Sequence, residues 1–137
     1  MKEGFNIIEA LSLPTDFQSL VDVENLVEKV CQIIGIQEDM YGNVLIAVTE
    51  AVNNAICHGN EQNHTLSIEV AVGDSNNSFC FKIKDQGKGF DYNNLPDPTA
   101  PENILKENGR GIFLMRNLSD EVTFNELGNE VVIYFSK

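Results

Sequence analysis

The stretch Val48-Thr49-Glu50-Ala51-Val52-Asn53-Asn54-Ala55-Ile56-Cys57-His58-Gly59 decides how the rest of the chain is read. Val44, Leu45, Val48, Val52, Ala55 and Ile56 recur at helical spacing, which predicts a helix over about 38–57 closed by His58-Gly59-Asn60. At about 100° per residue, Glu50 and Asn54 fall within about 40° of each other, and Glu50 lies about 200° from Val48. A carboxylate and an amide therefore share one polar edge, away from the apolar stripe. The carboxylate can accept a proton, and the amide oxygen can coordinate a hard cation such as Mg²⁺. Taken alone, such an edge is more often just the solvated face of a helix. Two successive asparagines within a helix are poor helix formers that call for a reason.

Upstream, Ile7, Ile8, Leu11 and Leu13 predict an opening strand over 6–13. Thr15 or Asp16 reads as the cap of a first helix carrying Val23, Leu26, Val27, Val30, Cys31 and Ile34, with Gly35 as its stop. Downstream, Leu66, Ile68, Val70 and Val72 alternate with polar residues, so this strand has one wet face. After the turn Gly73-Asp74-Ser75-Asn76-Asn77, Phe79, Phe81 and Ile83 alternate with Cys80, Lys82 and Lys84 and complete a hairpin. Pro96, Pro98 and Pro101 exclude regular structure, and a loop over 92–108 follows, with room for one helical turn after Pro101. A loop that long suits a functional lid. A short helix over 111–118 and a last hairpin, marked by Val122 and Phe124, then Val131, Ile133 and Phe135, end the chain. The order predicts an α+β two-layer sandwich, a mostly antiparallel sheet with helices on one face.

Composition sets the outer limits. At 137 residues the chain is the size of one domain, 1–137, with enough length for one core. The net charge of −12 argues against nucleic acid or an anionic membrane as partner. It leaves room for a small phosphorylated ligand held by backbone amides and a cation. Three cysteines without Cys-x-x-Cys spacing argue against a disulfide framework or a zinc site and point to a reducing cytoplasm. No apolar run reaches the length of a membrane span, and the start of the sequence lacks a signal-peptide segment.

Two further constellations carry chemistry. In Asp85-Gln86-Gly87-Lys88-Gly89-Phe90-Asp91, Asp85 continues the parity of Phe79, Phe81 and Ile83, which aims its carboxylate at the apolar side of the sheet. A carboxylate there needs donors, and a ligand amino group is one. Gly87 and Gly89 allow close backbone approach and positive φ. The same residues also suit a plain turn in which Asp85 caps backbone amides. In Asn108-Gly109-Arg110-Gly111-Ile112-Phe113-Leu114-Met115, glycines flank an arginine at a helix start, an arrangement that can hold an anion or simply hinge a loop. It is neither a Walker A loop nor a Rossmann fingerprint.

The order of the three boxes, Glu-x3-Asn, Asp-x-Gly-x-Gly and Gly-x-Gly, resembles the ATP-binding domain shared by gyrase, the related heat-shock chaperones, histidine kinases and mismatch-repair ATPases. Val48 to Gly59, and Gly109-Arg110-Gly111-Ile112-Phe113-Leu114-Met115 followed by Asp120-Glu121-Val122, are similar to the first and last boxes of the bacterial anti-sigma factor serine/threonine kinases. The resemblance spans roughly 6–135. It implies the histidine-kinase-like ATPase fold, with ATP and Mg²⁺ as cofactors. It implies Glu50 as general base, Asn54 as Mg²⁺ ligand, and Asp85 as acceptor of the adenine amino group. Gly87 and Gly89 would pack against adenine, and Gly109 and Gly111 would let the lid close. Lys106 and Arg110 are the cations assigned to the phosphates. One departure stands out: many family members have Gly-Thr where this chain has Gly128-Asn129, the threonine there supporting the adenine-binding aspartate.

Within that family, Glu50 speaks against a histidine kinase, which more often has asparagine there, and 137 residues leave no room for its dimerisation helices. The expected protein is a cytoplasmic protein serine/threonine kinase that phosphorylates a small anti-anti-sigma factor and also sequesters a sigma factor, with a homodimer as a further state. The rival readings are a nucleotide-sensing binding module without catalysis and a slow stand-alone ATPase.

Overall fold

The computed structural model describes residues 1–89 and 107–137. Its elements are β1 (Asn6–Pro14), α1 (Ser19–Ile34), α2 (Glu38–Asn54), a π-helical turn (Ala55–Gly59), β2 (Ser67–Asp74), β3 (Ser78–Lys84), α3 (Glu107–Leu118), β4 (Glu121–Phe124) and β5 (Glu130–Ser136). The strands form one five-stranded sheet in the order β1-β2-β3-β5-β4. Every neighbouring pair is antiparallel. The expected α+β sandwich with an antiparallel sheet is the fold observed.

Period-two alternation sends Ile68, Val70 and Val72 of β2, Phe79, Phe81 and Ile83 of β3, and Val131, Ile133 and Phe135 of β5 to one face. They meet Val23, Val27 and Val30 of α1 and Val44, Val48 and Val52 of α2 in one buried cluster. Burying each large apolar side chain there contributes about 1.5–3 kcal/mol. Phe79 stacks on Phe135 across the β3–β5 pair, ring centroids 5.3 Å apart.

The opposite face is drier than alternation suggests. Cys80, Val132 and Tyr134 are buried there, with Phe5 packed against them. The chain's first residues fold over this face. The Lys2 amide donates to the Tyr134 hydroxyl at 2.9 Å, and the Phe5 ring meets the Tyr134 ring edge-on at 5.5 Å. Burial pushes the Cys80 thiol up to about 11.

Local details correct three expectations. Thr15 is not a helix cap: its hydroxyl donates to the Leu66 carbonyl at 2.7 Å and accepts from Asn60 at 2.8 Å. Asp16 instead closes a turn by accepting from the Gln18 amide at 2.9 Å, and α1 begins at Ser19. Helix α2 stops at Asn54 and widens into the π-helical turn, where the Asn60 amide reaches back to the Ala55 carbonyl at 2.8 Å. Asn53 and Asn54 therefore stand at an α-to-π junction rather than in a helix interior, which removes the propensity puzzle. Helix α3 starts at Glu107, so Gly109 lies in its first turn and Gly111 one turn in, not ahead of the helix. The remainder of the expected lid, with its extra helical turn and Lys106, lies outside the described residues. The stop at Gly35 stands as read, with φ of 82° and its amide bonded to the Cys31 carbonyl.

Candidate functional site

Four segments converge on one cleft between the helices and the end of the sheet. The end of α2 with its π-turn supplies Ala51, Asn54, Ala55 and Gly59. The end of β3 and its loop supply Ile83, Asp85 and Gly89; α3 supplies Ile112 and Met115. Gly128, Asn129 and Val131, from the turn into β5, close the far wall. The cleft is apolar along its sides, with Asp85 as a carboxylate on its wall. Such a lining suits a flat heteroaromatic ring that offers an amino group.

Asp85 extends β3 by one residue, its amide donating to the Asn129 carbonyl at 2.9 Å. One carboxylate oxygen, Oδ1, accepts from the Gly87 amide at 2.7 Å. Burial raises the Asp85 carboxyl above its ordinary 3.8, and the Gly87 amide only partly offsets this. The fold therefore favours its protonated form over the unfolded chain. This carboxyl's stabilising contribution is therefore present below 3.8 and is lost as pH climbs through the raised folded value. Thermal midpoints of the nucleotide-free protein and of Asp85→Asn check this. The mutant should lack that share of the decline, and curves parallel across the acid range would show that Asp85 is not perturbed.

The close approaches here require glycine. A β-carbon on Gly59 would overlap the Asp85 carboxylate, one on Gly87 would overlap the Gly59 carbonyl, and one on Gly89 would overlap the Leu127 carbonyl. Gly89 also has φ of 83°. Gly87 and Gly89 thus pack against the chain's own backbone, a job that Asp-x-Gly-x-Gly alone does not reveal.

Glu50 stands one turn before Asn54 on α2, half-buried. Gly111 of α3 lies over both: a β-carbon there would come within 3.1 Å of Glu50 Oε2 and 3.0 Å of Asn54 Nδ2. The structure thus brings Glu50, Asn54 and Gly111 together, and Asn54, Asp85 and Gly89 onto one cleft. Arg110 is exposed in the first turn of α3. His58 lines the cleft mouth. Among the described residues no cluster of three or more His, Cys, Asp or Glu could hold a metal by itself. A cation here would rest on the Asn54 amide and on ligand oxygens, as Mg²⁺ commonly does with phosphates.

Sequence reading missed Asn60 and gave Asn129 no role of its own. Asn129 Nδ2 donates to the Gly87 carbonyl at 3.3 Å, while its Oδ1 accepts from Asn125 at 2.6 Å. The signal for Asn129 was its place where a threonine is common. For Asn60 there was none.

The fold and this cleft define an ATPase domain of the histidine-kinase type. The family model for the histidine kinase-like ATPase domain matches residues 13–135, and the chain belongs to that family. Among curated relatives, the chain is similar to the serine-protein kinase RsbW of Oceanobacillus iheyensis, 29% identical over 98 residues, covering 67% of this chain and 62% of that protein. It is also similar to the serine-protein kinase RsbW of Staphylococcus aureus strain JH9, 38% identical over 85 residues, covering 57% of this chain and 54% of that protein. The Staphylococcus epidermidis protein of the same name is 39% identical over the same length. The chain thus spans little more than half the length of these relatives.

Proposed function

We propose that the chain binds ATP with Mg²⁺ and transfers the γ-phosphoryl group to a serine or threonine hydroxyl of a small protein. The observation that carries this is the pairing of Glu50 with Asn54 beneath Gly111, next to a cleft with Asp85 on its wall. The donor set fits the ligand: an acceptor for an amino group, apolar walls for a ring, and an amide at the helix end for the cation. In this reading Asp85 accepts a hydrogen bond from the adenine amino group, and Ile83, Ile112 and Met115 exclude water from the ring. The Asn54 amide oxygen would hold Mg²⁺, which would supply charge neutralisation on the phosphates. Glu50 takes the proton of the attacking hydroxyl as its oxygen bonds to phosphorus and the bond to ADP breaks. Positioning and charge neutralisation supply most of the rate in such transfers, so few side chains are needed.

The similarity to serine-protein kinases, and Glu50 in place of the asparagine more common in histidine kinases, favour a protein hydroxyl as acceptor. By resemblance to the anti-sigma factor kinases, the substrate is an anti-anti-sigma factor and a second partner is a sigma factor. In this reading the protein acts in the cytoplasm as a regulator of transcription. No helix among the described residues is long and apolar enough to cross a membrane.

The test is incubation with labelled ATP and the proteins encoded beside it, followed by phosphosite mapping. Label on a serine or threonine of one partner is expected. ATP binding without label on any partner would leave a nucleotide-sensing binding module, and label released only as free phosphate would leave an ATPase.

A further inference from the structure

Asn60 has no part in the chemistry of the cleft, yet it is a buried polar side chain beside it. It is 2% exposed, a burial that asparagine tolerates only when its amide is satisfied. Here both ends are. Nδ2 donates to Thr15 Oγ1 at 2.8 Å and to the Ser67 carbonyl at 3.0 Å. Oδ1 accepts from the Gln86 amide at 2.7 Å. Two donor bonds on one side fix which way the amide points, so its oxygen faces Gln86.

Gln86 lies between Asp85 and Gly87, and the three consecutive amides of this loop are all held. The Asp85 amide bonds the Asn129 carbonyl, the Gln86 amide bonds Asn60, and the Gly87 amide bonds Asp85 Oδ1. Of these, only the bond to Asn60 ties the loop to the end of the helix that carries Glu50 and Asn54. Thr15 ties Asn60 in turn to the β1–α1 connection, since its own hydroxyl is bound to the Leu66 carbonyl.

We infer that Asn60 is a positioning residue for base selection: it fixes the Asp85 carboxylate relative to the α2 end, so that the cleft accepts a 6-aminopurine and rejects a 6-oxopurine. This rests on the reading of the cleft as an ATP site. A 6-oxo group presents lone pairs to a carboxylate and is repelled, but only if the carboxylate cannot turn or retreat. A loosened loop would let Asp85 retreat, so discrimination, rather than binding as such, depends on Asn60.

The experiment uses the full chain and three variants: Asn60→Ala, the milder Thr15→Val, and Val27→Ala as a control destabilised in the core. Thr15→Val keeps the side-chain shape and removes the acceptor for Asn60, and serves if Asn60→Ala does not fold. Two quantities are read: amide exchange at Gln86 without nucleotide, and the ratio of Kd for GTP to that for ATP with Mg²⁺. Expected are Gln86 exchange at least about tenfold faster and a ratio at least about tenfold smaller in the Asn60 and Thr15 variants than in Val27→Ala. Unchanged Gln86 protection, or a wild-type ratio despite lost protection, overturns the assignment and leaves the ATP reading standing. A ratio that falls as much in Val27→Ala also overturns it, since the effect would then be general loosening. A wild-type chain that binds neither nucleotide overturns the ATP reading itself, and this assignment with it.

Discussion

Glu50→Gln should lower phosphotransfer about 10²–10⁴-fold, the usual contribution of a general base, while leaving ATP affinity almost unchanged. Glutamine keeps the length and shape of glutamate but cannot take a proton from the attacking hydroxyl. Glu50 sits beside Asn54 and Gly111, and it is Asn54, not Glu50, that lines the cleft. Loss of the carboxylate should therefore appear in kcat and leave nucleotide binding to the Asp85 side. Single-turnover transfer to the partner protein, with ATP affinity measured separately, separates the two effects. Unchanged transfer would remove Glu50 from the mechanism, and a parallel loss of ATP binding would make it a ligand-holding residue instead.

Asp85→Asn should have the reverse signature: ATP affinity and preference for adenine fall together, with a loss of about a hundredfold or more in the ATP preference. A site built to accept an amino hydrogen rejects its mismatched analogue strongly because a buried polar group is left facing the wrong partner. Asparagine presents an N–H where the carboxylate presented a lone pair. It also relieves the burial that raises the carboxyl's pKa, so the nucleotide-free mutant should be no less stable than wild type above the carboxylate range. Loss of ligand binding without loss of stability separates a recognition role from a folding role. Titration calorimetry with ATP and GTP, together with thermal midpoints, reads both. A mutant that bound ATP as tightly as wild type would show that Asp85 does not face the base.

What the sequence alone determined was local. Period two placed Ile68, Val70, Val72, Phe79, Phe81 and Ile83 on one face and aimed Asp85 at that same side, where it lines the cleft. Period 3.6 put Glu50 and Asn54 on one edge of α2, because both patterns depend only on geometry repeated along the chain. Gly35 could be read as a helix stop because an αL residue is a local requirement. Tertiary structure decided the rest. The pairing of β3 with β5 rather than β4 joins strands far apart in the chain, which no local pattern encodes. Asn60 reads in sequence as a polar residue after a helix, and only its partners at Thr15, Ser67 and Gln86 make it a buried peg. Gly59 and Gly87 read as turn glycines, yet they are needed because the Asp85 carboxylate and the Gly59 carbonyl occupy the space of a β-carbon. Those constraints arise between segments distant in the chain, where packing and hydrogen-bond satisfaction are settled only once both segments are in place.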